Sequence, residues 1–413
     1  MDAEDSAGER LRRFRRRRGL TQEQLAGRAG LGPGVIKKIE RGGTARLETY
    51  HALARALGTR TSALFEPAGP RGSARTAQED KIDLLELRRA ISPPLTIDGR
   101  PGFSCAAEGS DADLARLRDT ARSVALSYHA DRYPQVARVL PELVRSAHAA
   151  TAHFDSGPQR ADALTLRSES LQLAGRYLTQ VRAYDLAHLA LRDAVRDAAQ
   201  AGDRLNAASA VIGQAWILLR QGRLDEAEQL AADAAAELEP RPSLASRPEL
   251  AAWGWLLLRA AAAAARNNRP EQAEHFIRLA RTASAALGTE VAEQLRGWGT
   301  FGPLTVELKA IENQLVARRP DRVLELADRL PRGVGRATSD NWHRHRLDVA
   351  RAHAMRRQGD QATRVLVALH GQAPEWLKHQ RLAADTLDDV LRTRKRTLTE
   401  DQRALADFLA VDL

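Results

Sequence analysis

The chain is predicted to be all-α, on three observations. Ala, Leu and Arg dominate its 413 residues, while aromatic residues make up only 4%. Strand-forming residues are sparse and nowhere alternate with polar ones over a useful length. Where apolar residues are regular, they recur three and four apart between breaks marked by Gly or Pro. A hydrophobic content of 43% is enough to bury a core, and the length implies two or three folded units.

Residues 8–66 read as five short helices. The first, Gly8–Arg18, carries Leu11 and Phe14 on one face. Thr21 is placed to cap Gln22–Ala29, which Gly30 ends. The third opens at Gly32–Pro33, since proline suits a first helical turn, and ends at Gly42–Gly43. The fourth, about Arg46–Leu57, places Leu47, Tyr50, Leu53, Ala54 and Leu57 along one side, and a last turn falls at Ser62–Phe65. Residues 67–80 have the Pro, Gly, Ser and charge content of a linker. Helix resumes over Lys81–Ala90 and breaks at SPPLTIDGRPG.

From Asp111 onward, helix follows helix. Breaks fall at Tyr133–Pro134, Ser156–Pro158, Gly202, Gly222, Pro240–Pro242, Asn267–Pro270, Gly299–Pro303, Arg319–Pro320, Pro331–Gly335, Gln358–Asp360 and Pro374. The segments have the lengths of paired antiparallel helices. Small residues recur where two such helices would cross: Ala215, Gly222, Ala227, Ala231 and Ala234 in one unit, Gly175 and Ala187 in another, Ala261 and Ala273 in a third. With Val136, Val323 and Ala362 the packing positions lie 51, 40, 46, 50 and 39 residues apart. A tetratricopeptide repeat has a period of about 34. The array is therefore tetratricopeptide-like, with elongated units.

Charge is uneven. Of the formal +10, residues 1–70 carry +6, from 14 basic and 8 acidic side chains. A basic head on a nearly balanced body points to a polyanionic partner. The single cysteine, Cys105, excludes an intrachain disulfide and a thiolate zinc site. MDAEDSAGER is acidic and lacks the apolar stretch of a secretory leader. Leu250–Ala265 is too short, and too interrupted by Arg259, to span a hydrocarbon layer of about 30 Å. A cytoplasmic protein without membrane contact is expected.

The informative stretch is LTQEQLAGRAGLGPGVIKKIERGG, residues 20–43. Leu25, Ala26 and Ala29 should face inward from one helix, and Ile36 and Ile39 from the next. That leaves Lys37, Lys38 and Arg41 outward, on a helix of a size that fits the DNA major groove. The words TQEQLA and IERG at this separation resemble the helix-turn-helix of Cro/cI-type (XRE) regulators, over roughly residues 8–66. The resemblance implies a phosphate contact for Gln22 and base-reading positions at Pro33, Gly34 and Lys38. It also implies a backbone contact at Arg41 and an ion pair between Arg15 and Glu40. Pro33 and Gly34 lack side-chain donors and acceptors, so phosphate contacts and DNA shape should carry more of the recognition. Lys37 and Lys38 supply the remaining charge. A helix-turn-helix can also dock a protein partner. The head's charge and the outward basic face favour double-stranded DNA.

The body is similar to the C-terminal region of actinobacterial-type regulators in which a Cro/cI-type head precedes tetratricopeptide-like repeats. WGWLLLRAAAAAA (253–265), FGPLTV (301–306) and RLDVARAHAMRRQGD (346–360) carry that similarity. Thr305 and Lys309 stand where the group often has Asn and His. Repeat arrays present a concave surface from the first helix of each pair. Aligning Gly175, Ala215, Ala261, Ile311 and Ala352 gives the groove-facing residues Glu169, Gln172, Arg176, Trp216, Arg220, Trp255, Arg266, Thr305, Glu312, Arg346 and His353. Arginines and tryptophans there suit a peptide carboxylate and apolar area. Trp216 and Trp255 could equally be core residues.

Nothing points to catalysis, to a cofactor or to a metal. GLGPG (30–34) reads as a turn and cap, and His343, His345 and His353 lack a carboxylate at ligating spacing. The expected organisation is a DNA-binding domain (1–66), a linker (67–80) and a repeat domain (81–413) for sensing and dimerisation. The expected function is sequence-specific transcriptional regulation by a homodimer whose repeats bind a peptide or protein effector. The alternatives are a ligand-free regulator whose repeats dock partner proteins, or an adaptor that sequesters a partner.

Overall fold

A computed structural model describes residues 7–61, 64, 84–94, 96, 97, 113–241, 244–292, 299–331, 337–393 and 397–411. Within them the chain is all-α, a helix-turn-helix head followed by helical hairpin repeats. The turn expected at Ser62–Phe65 (apart from buried Leu64), the linker 67–80 and Cys105 lie outside the described residues.

The head comprises α1 (Ala7–Arg17), α2 (Gln22–Ala29), α3 (Pro33–Glu40) and α4 (Leu47–Leu57). Thr21 and Gln24 form a reciprocal capping box at the start of α2, and Gly30 closes that helix in the left-handed conformation. Leu11, Leu25, Ala26, Ile36, Ile39, Leu53 and Leu64 make one core. At the crossing of α1 over α3 there is no room for a side chain: a Cβ on Gly8 would lie 2.1 Å from the Ile39 carbonyl oxygen.

After α5 (Leu85–Ile91) the described residues form six helical hairpins. They are α6 (Leu114–His129) with α7 (Tyr133–His153), α8 (Gly157–Gln180) with α9 (Tyr184–Gln200), and α10 (Arg204–Gln221) with α11 (Leu224–Leu238). Then follow α12 (Arg247–Arg266) with α13 (Pro270–Leu287), α14 (Pro303–Val316) with α15 (Pro320–Asp328), and α16 (Ser339–Met355) with α17 (Gly359–Gln372). The C-terminal helices α18 (Pro374–Lys378), α19 (Arg381–Thr393) and α20 (Glu400–Leu409) pack against the last hairpin.

Each hairpin turns on one residue with positive φ: Asp131, Arg182, Gly222, Asn268, Arg318 and Arg357, at 58° to 80°. These residues lie 51, 40, 46, 50 and 39 apart. Five residues beyond each stand Val136, Ala187, Ala227, Ala273, Val323 and Ala362, all buried where the second helix crosses the first. Tight crossing explains the small residues. A Cβ on Gly175 would meet the Leu191 side chain at 2.5 Å. The turn at 181–183 has no Gly or Pro to announce it, and Arg182 itself takes the left-handed conformation there.

Two features depart from the sequence reading. A two-stranded antiparallel ladder, β1 (Val291–Ala292) with β2 (Thr300–Phe301), interrupts the helices and drives Phe301 against Gly254 and Trp255. The array is also not an open arc, because its sixth hairpin and the segment between α18 and α19 meet the first two hairpins. Ser339 Oγ donates to the His129 carbonyl, His343 Nδ1 lies 3.2 Å from Asp131 Oδ2, and Gln380 Nε2 donates to Gln180 Oε1 at 3.4 Å. The concave surface expected from the repeats is therefore the wall of an interior chamber.

Candidate nucleic-acid interface and interior chamber

Two sites are built on this frame, the outer face of α3 and the chamber. Ile36 and Ile39 of α3 are fully buried, while Pro33, Gly34, Lys37, Lys38 and Arg41 are exposed along its other side. Beneath that face Arg15 holds Glu40 with two bonds, Nε to Oε1 at 2.6 Å and Nη2 to Oε2 at 2.9 Å. Gln22 Nε2 donates to Glu40 Oε2 at 2.7 Å. Burial alone would raise the Glu40 carboxyl; the bonds from Arg15 and Gln22 hold it below its ordinary value. Gln22, expected from the sequence to contact a phosphate, here ties the start of α2 to the end of α3.

The head is seated on the turn edge of the array. Thr61 Oγ1 donates to the Arg266 carbonyl at 2.6 Å, and His51 Nδ1 donates to the same oxygen at 2.7 Å. Asn268 Nδ2 reaches the Thr59 carbonyl at 3.1 Å, Arg318 Nη1 the Ala29 carbonyl at 3.2 Å, and Arg55 Nη1 the Ala317 carbonyl at 2.8 Å. Two ion pairs flank these bonds, Arg60–Asp225 at 3.0 Å and Arg46–Asp385 at 2.5 Å. Asn268 and Arg318 are themselves the left-handed residues of their hairpins, so the backbone feature that turns the chain also presents these donors. Docking uses α4 and the end of α2, and it leaves the basic face of α3 open to solvent.

The chamber is partly open to solvent and has a volume of about 100 Å³. Of the candidate groove residues, the fold brings Arg176, Trp216, Arg220, Trp255, Arg266 and Glu312 to its wall. It leaves out Gln172, whose amide is bonded to Asn206 Oδ1 at 2.6 Å between α8 and α10. Thr305 is also absent, being fully buried with its hydroxyl on Glu290 Oε2 at 2.8 Å. Glu169 lines a separate surface cleft. His353 bonds Gln358 at 2.7 Å, and Arg344 rather than Arg346 lines the chamber. The register explains the last difference. The earlier packing residues lie seven before the left-handed residue, which makes Ala350 the equivalent in the sixth hairpin, not Ala352.

Sequence reasoning missed Arg259, Lys309, Asp340 and Arg344 on the chamber wall. Arg259 was in reach, since Trp255, Arg259, Ala262 and Arg266 follow one helical stripe. Its guanidinium lies 5.5 Å from the Trp216 ring and 5.3 Å from that of Trp255. Glu312 serves three cations: Arg266 at 2.5 Å, Lys309 at 3.2 Å and Arg344 at 3.6 Å. Burial would raise its pKa, but those cations keep it well below the ordinary value. Burial also pushes Arg176 and Arg259 down to about 10, so both stay cationic at neutral pH. Among the described residues no group of three His, Cys, Asp or Glu side chains is placed to hold a metal, and no helix is long and apolar enough to cross a membrane.

Residues 6–67 match the family model described as a helix-turn-helix domain. No curated protein matches the chain. Among solved structures, the chain is similar to the crystal structure of Bacillus thuringiensis PlcR in complex with the peptide PapR7 and DNA. That likeness has 12% sequence identity and a TM-score of 0.30, covering 78% of this chain and 95% of the other.

Proposed function

We propose that the protein is a non-enzymatic, cytoplasmic transcriptional regulator that binds specific DNA sites through α3 as a homodimer. One observation carries the reading: in the full chain, with the head docked, Lys37, Lys38 and Arg41 remain exposed on a helix whose other side is anchored in the core. A two-fold dimer would place two such helices about 34 Å apart, one turn of DNA. The domain limits 1–66, 67–80 and 81–413 belong to this reading.

The repeat domain would dimerise the chain and sense a peptide or protein effector, which shifts the population of docked and released heads. What supports the coupling is Arg266. Its guanidinium pairs with Glu312 on the chamber wall, while its carbonyl receives both His51 and Thr61 of the head. Ligand binding beside Arg266 therefore acts at the end of the helix on which the head rests.

The test is a mobility-shift titration of the full chain against a duplex selected in vitro and a scrambled duplex, across a salt series. Lys37→Ala and Lys38→Ala should each weaken binding to both duplexes and lower the salt slope by about 1. Unchanged binding by the Lys37→Glu/Lys38→Glu double variant would remove the α3 interface. Light scattering of the same samples reads the oligomeric state.

A further inference from the structure

We propose that the interior chamber is a site for a compact organic anion that also carries a hydroxyl or amino donor, held by Arg220 and the Trp255 indole N–H. The proposal rests on the reading above that the repeats sense an effector, and it puts a small anion in place of the peptide or protein.

The chamber wall carries an excess of positive charge. Arg176, Arg220, Arg259, Arg266, Lys309 and Arg344 face the chamber, against only Glu312 and Asp340 among its lining residues. Glu312 is already committed to three of the six cations. Asp348, bonded to Arg344 at 3.0 Å behind the wall, adds one more carboxylate and still leaves an excess of positive charge. Such an excess in a water-poor interior is costly unless an anion enters.

Hydrogen-bonding capacity is left open at the same place. Trp255 is 3% exposed and lines the chamber, yet its Nε1 has no acceptor. Arg220 Nε is likewise buried without an acceptor. Both groups can only donate, so an acceptor-rich ligand completes them. Asp340, also on the chamber wall, has a buried Oδ1 acceptor without a donor. A hydroxy acid or an amino acid satisfies both sets at once; a bare dicarboxylate satisfies only the first. A space of about 100 Å³ lies well below the roughly 300–1,000 Å³ of drug-sized sites and suits a compact ligand.

Trp216, Trp255 and Trp376 line the chamber, so tryptophan emission of the full chain reports its occupancy. The experiment titrates malate, glutamate, succinate, inorganic phosphate and an acidic tripeptide with free or amidated C-terminus, at constant ionic strength set with chloride. Malate or glutamate should change the emission saturably and raise the melting temperature by about 2–4 °C. Succinate should bind at least tenfold more weakly. Arg220→Gln, shown to be folded by circular dichroism, should lose both responses, and Arg220→Lys should recover part of them. The proposal is overturned if no small anion acts beyond the chloride control, if Arg220→Gln responds like the wild type, or if only the tripeptide binds. Binding without any change in affinity for the selected duplex would keep the anion site and sink the effector reading instead.

Discussion

Thr61 and Arg266, 205 residues apart, are joined by a 2.6 Å hydrogen bond from the threonine hydroxyl to the arginine carbonyl. That carbonyl ends α12 and so has no partner within its own helix. The head thus caps a helix of the array. His51 adds a second donor to the same oxygen, and the ring itself is 7% exposed. The contact is polar and local, with neither partner's core opened, which is the construction expected of two bodies that separate and rejoin.

The first prediction concerns that cap. Thr61→Val keeps the shape of the side chain and removes its donor, and it should weaken docking by about 1 kcal/mol. Hydrogen exchange of α4 and of the turn around Asn268 should then quicken together, while α1 and α8 stay unchanged. Faster exchange confined to the head would show that the bond stabilises α4 without holding it to the array.

Docking should also depend on pH through His51. Burial lowers this imidazole to about 4, against an ordinary value of 6.5. A depressed folded value means that the stabilisation is complete above pH 6.5 and is lost as pH falls toward 4. The largest loss is roughly 3 kcal/mol. His148 and His345 are lowered in the same way by burial, so the wild type alone cannot assign the effect. The decisive measurement is the difference in melting temperature between wild type and His51→Gln across pH 7 to 4.5. A gap that narrows on acidification is expected; parallel curves would exonerate His51.

Legibility in the sequence followed the range of the interaction. The caps of α2 and the stripe of α4 are written within a few residues and could be read directly. So could the crossings at Ala187, Ala227 and Ala273, because only a small side chain fits there. In the sixth hairpin Ala350 and Ala352 are both fully buried, so small size did not distinguish them, and the groove positions slipped by two. Ring closure and head docking were not legible at all. Ser339 with His129 and His51 with Arg266 are single contacts across more than 200 residues, with no periodicity to announce them.

Beneath the nucleic-acid face, Arg15 and Glu40 offer a stability test. Glu40 has 1% of its side chain exposed, and Arg15 has 12%. Arg15→Met removes one partner and leaves a buried carboxylate held by Gln22, with Arg12 at 3.6 Å. Losing the two-pronged bond should cost about 2–4 kcal/mol. The double variant Arg15→Met/Glu40→Leu should recover much of it, since no buried charge remains. Denaturant unfolding followed by circular dichroism reads both. A double variant no better than Arg15→Met alone would mean that Glu40 is also needed by Arg12 and Gln22.

The short ladder at β2 gives the last prediction, and it concerns the chamber wall. Gly254 lies on α12 one residue before Trp255, and a Cβ there would stand 1.9 Å from Phe301 Cζ. Phe301 is fully buried and cannot withdraw without shifting Trp255, whose ring centroid is 6.5 Å away. In a helix, Gly→Ala ordinarily gains about 1 kcal/mol. Here overpacking should outweigh that gain, for a net loss of about 1–3 kcal/mol. The tryptophan emission of Gly254→Ala should differ from that of the wild type before any ligand is added. Pairing it with Phe301→Leu, which removes the clash, should restore stability. If Gly254→Ala is as stable as the wild type with unchanged emission, Phe301 is not the buttress of the chamber wall.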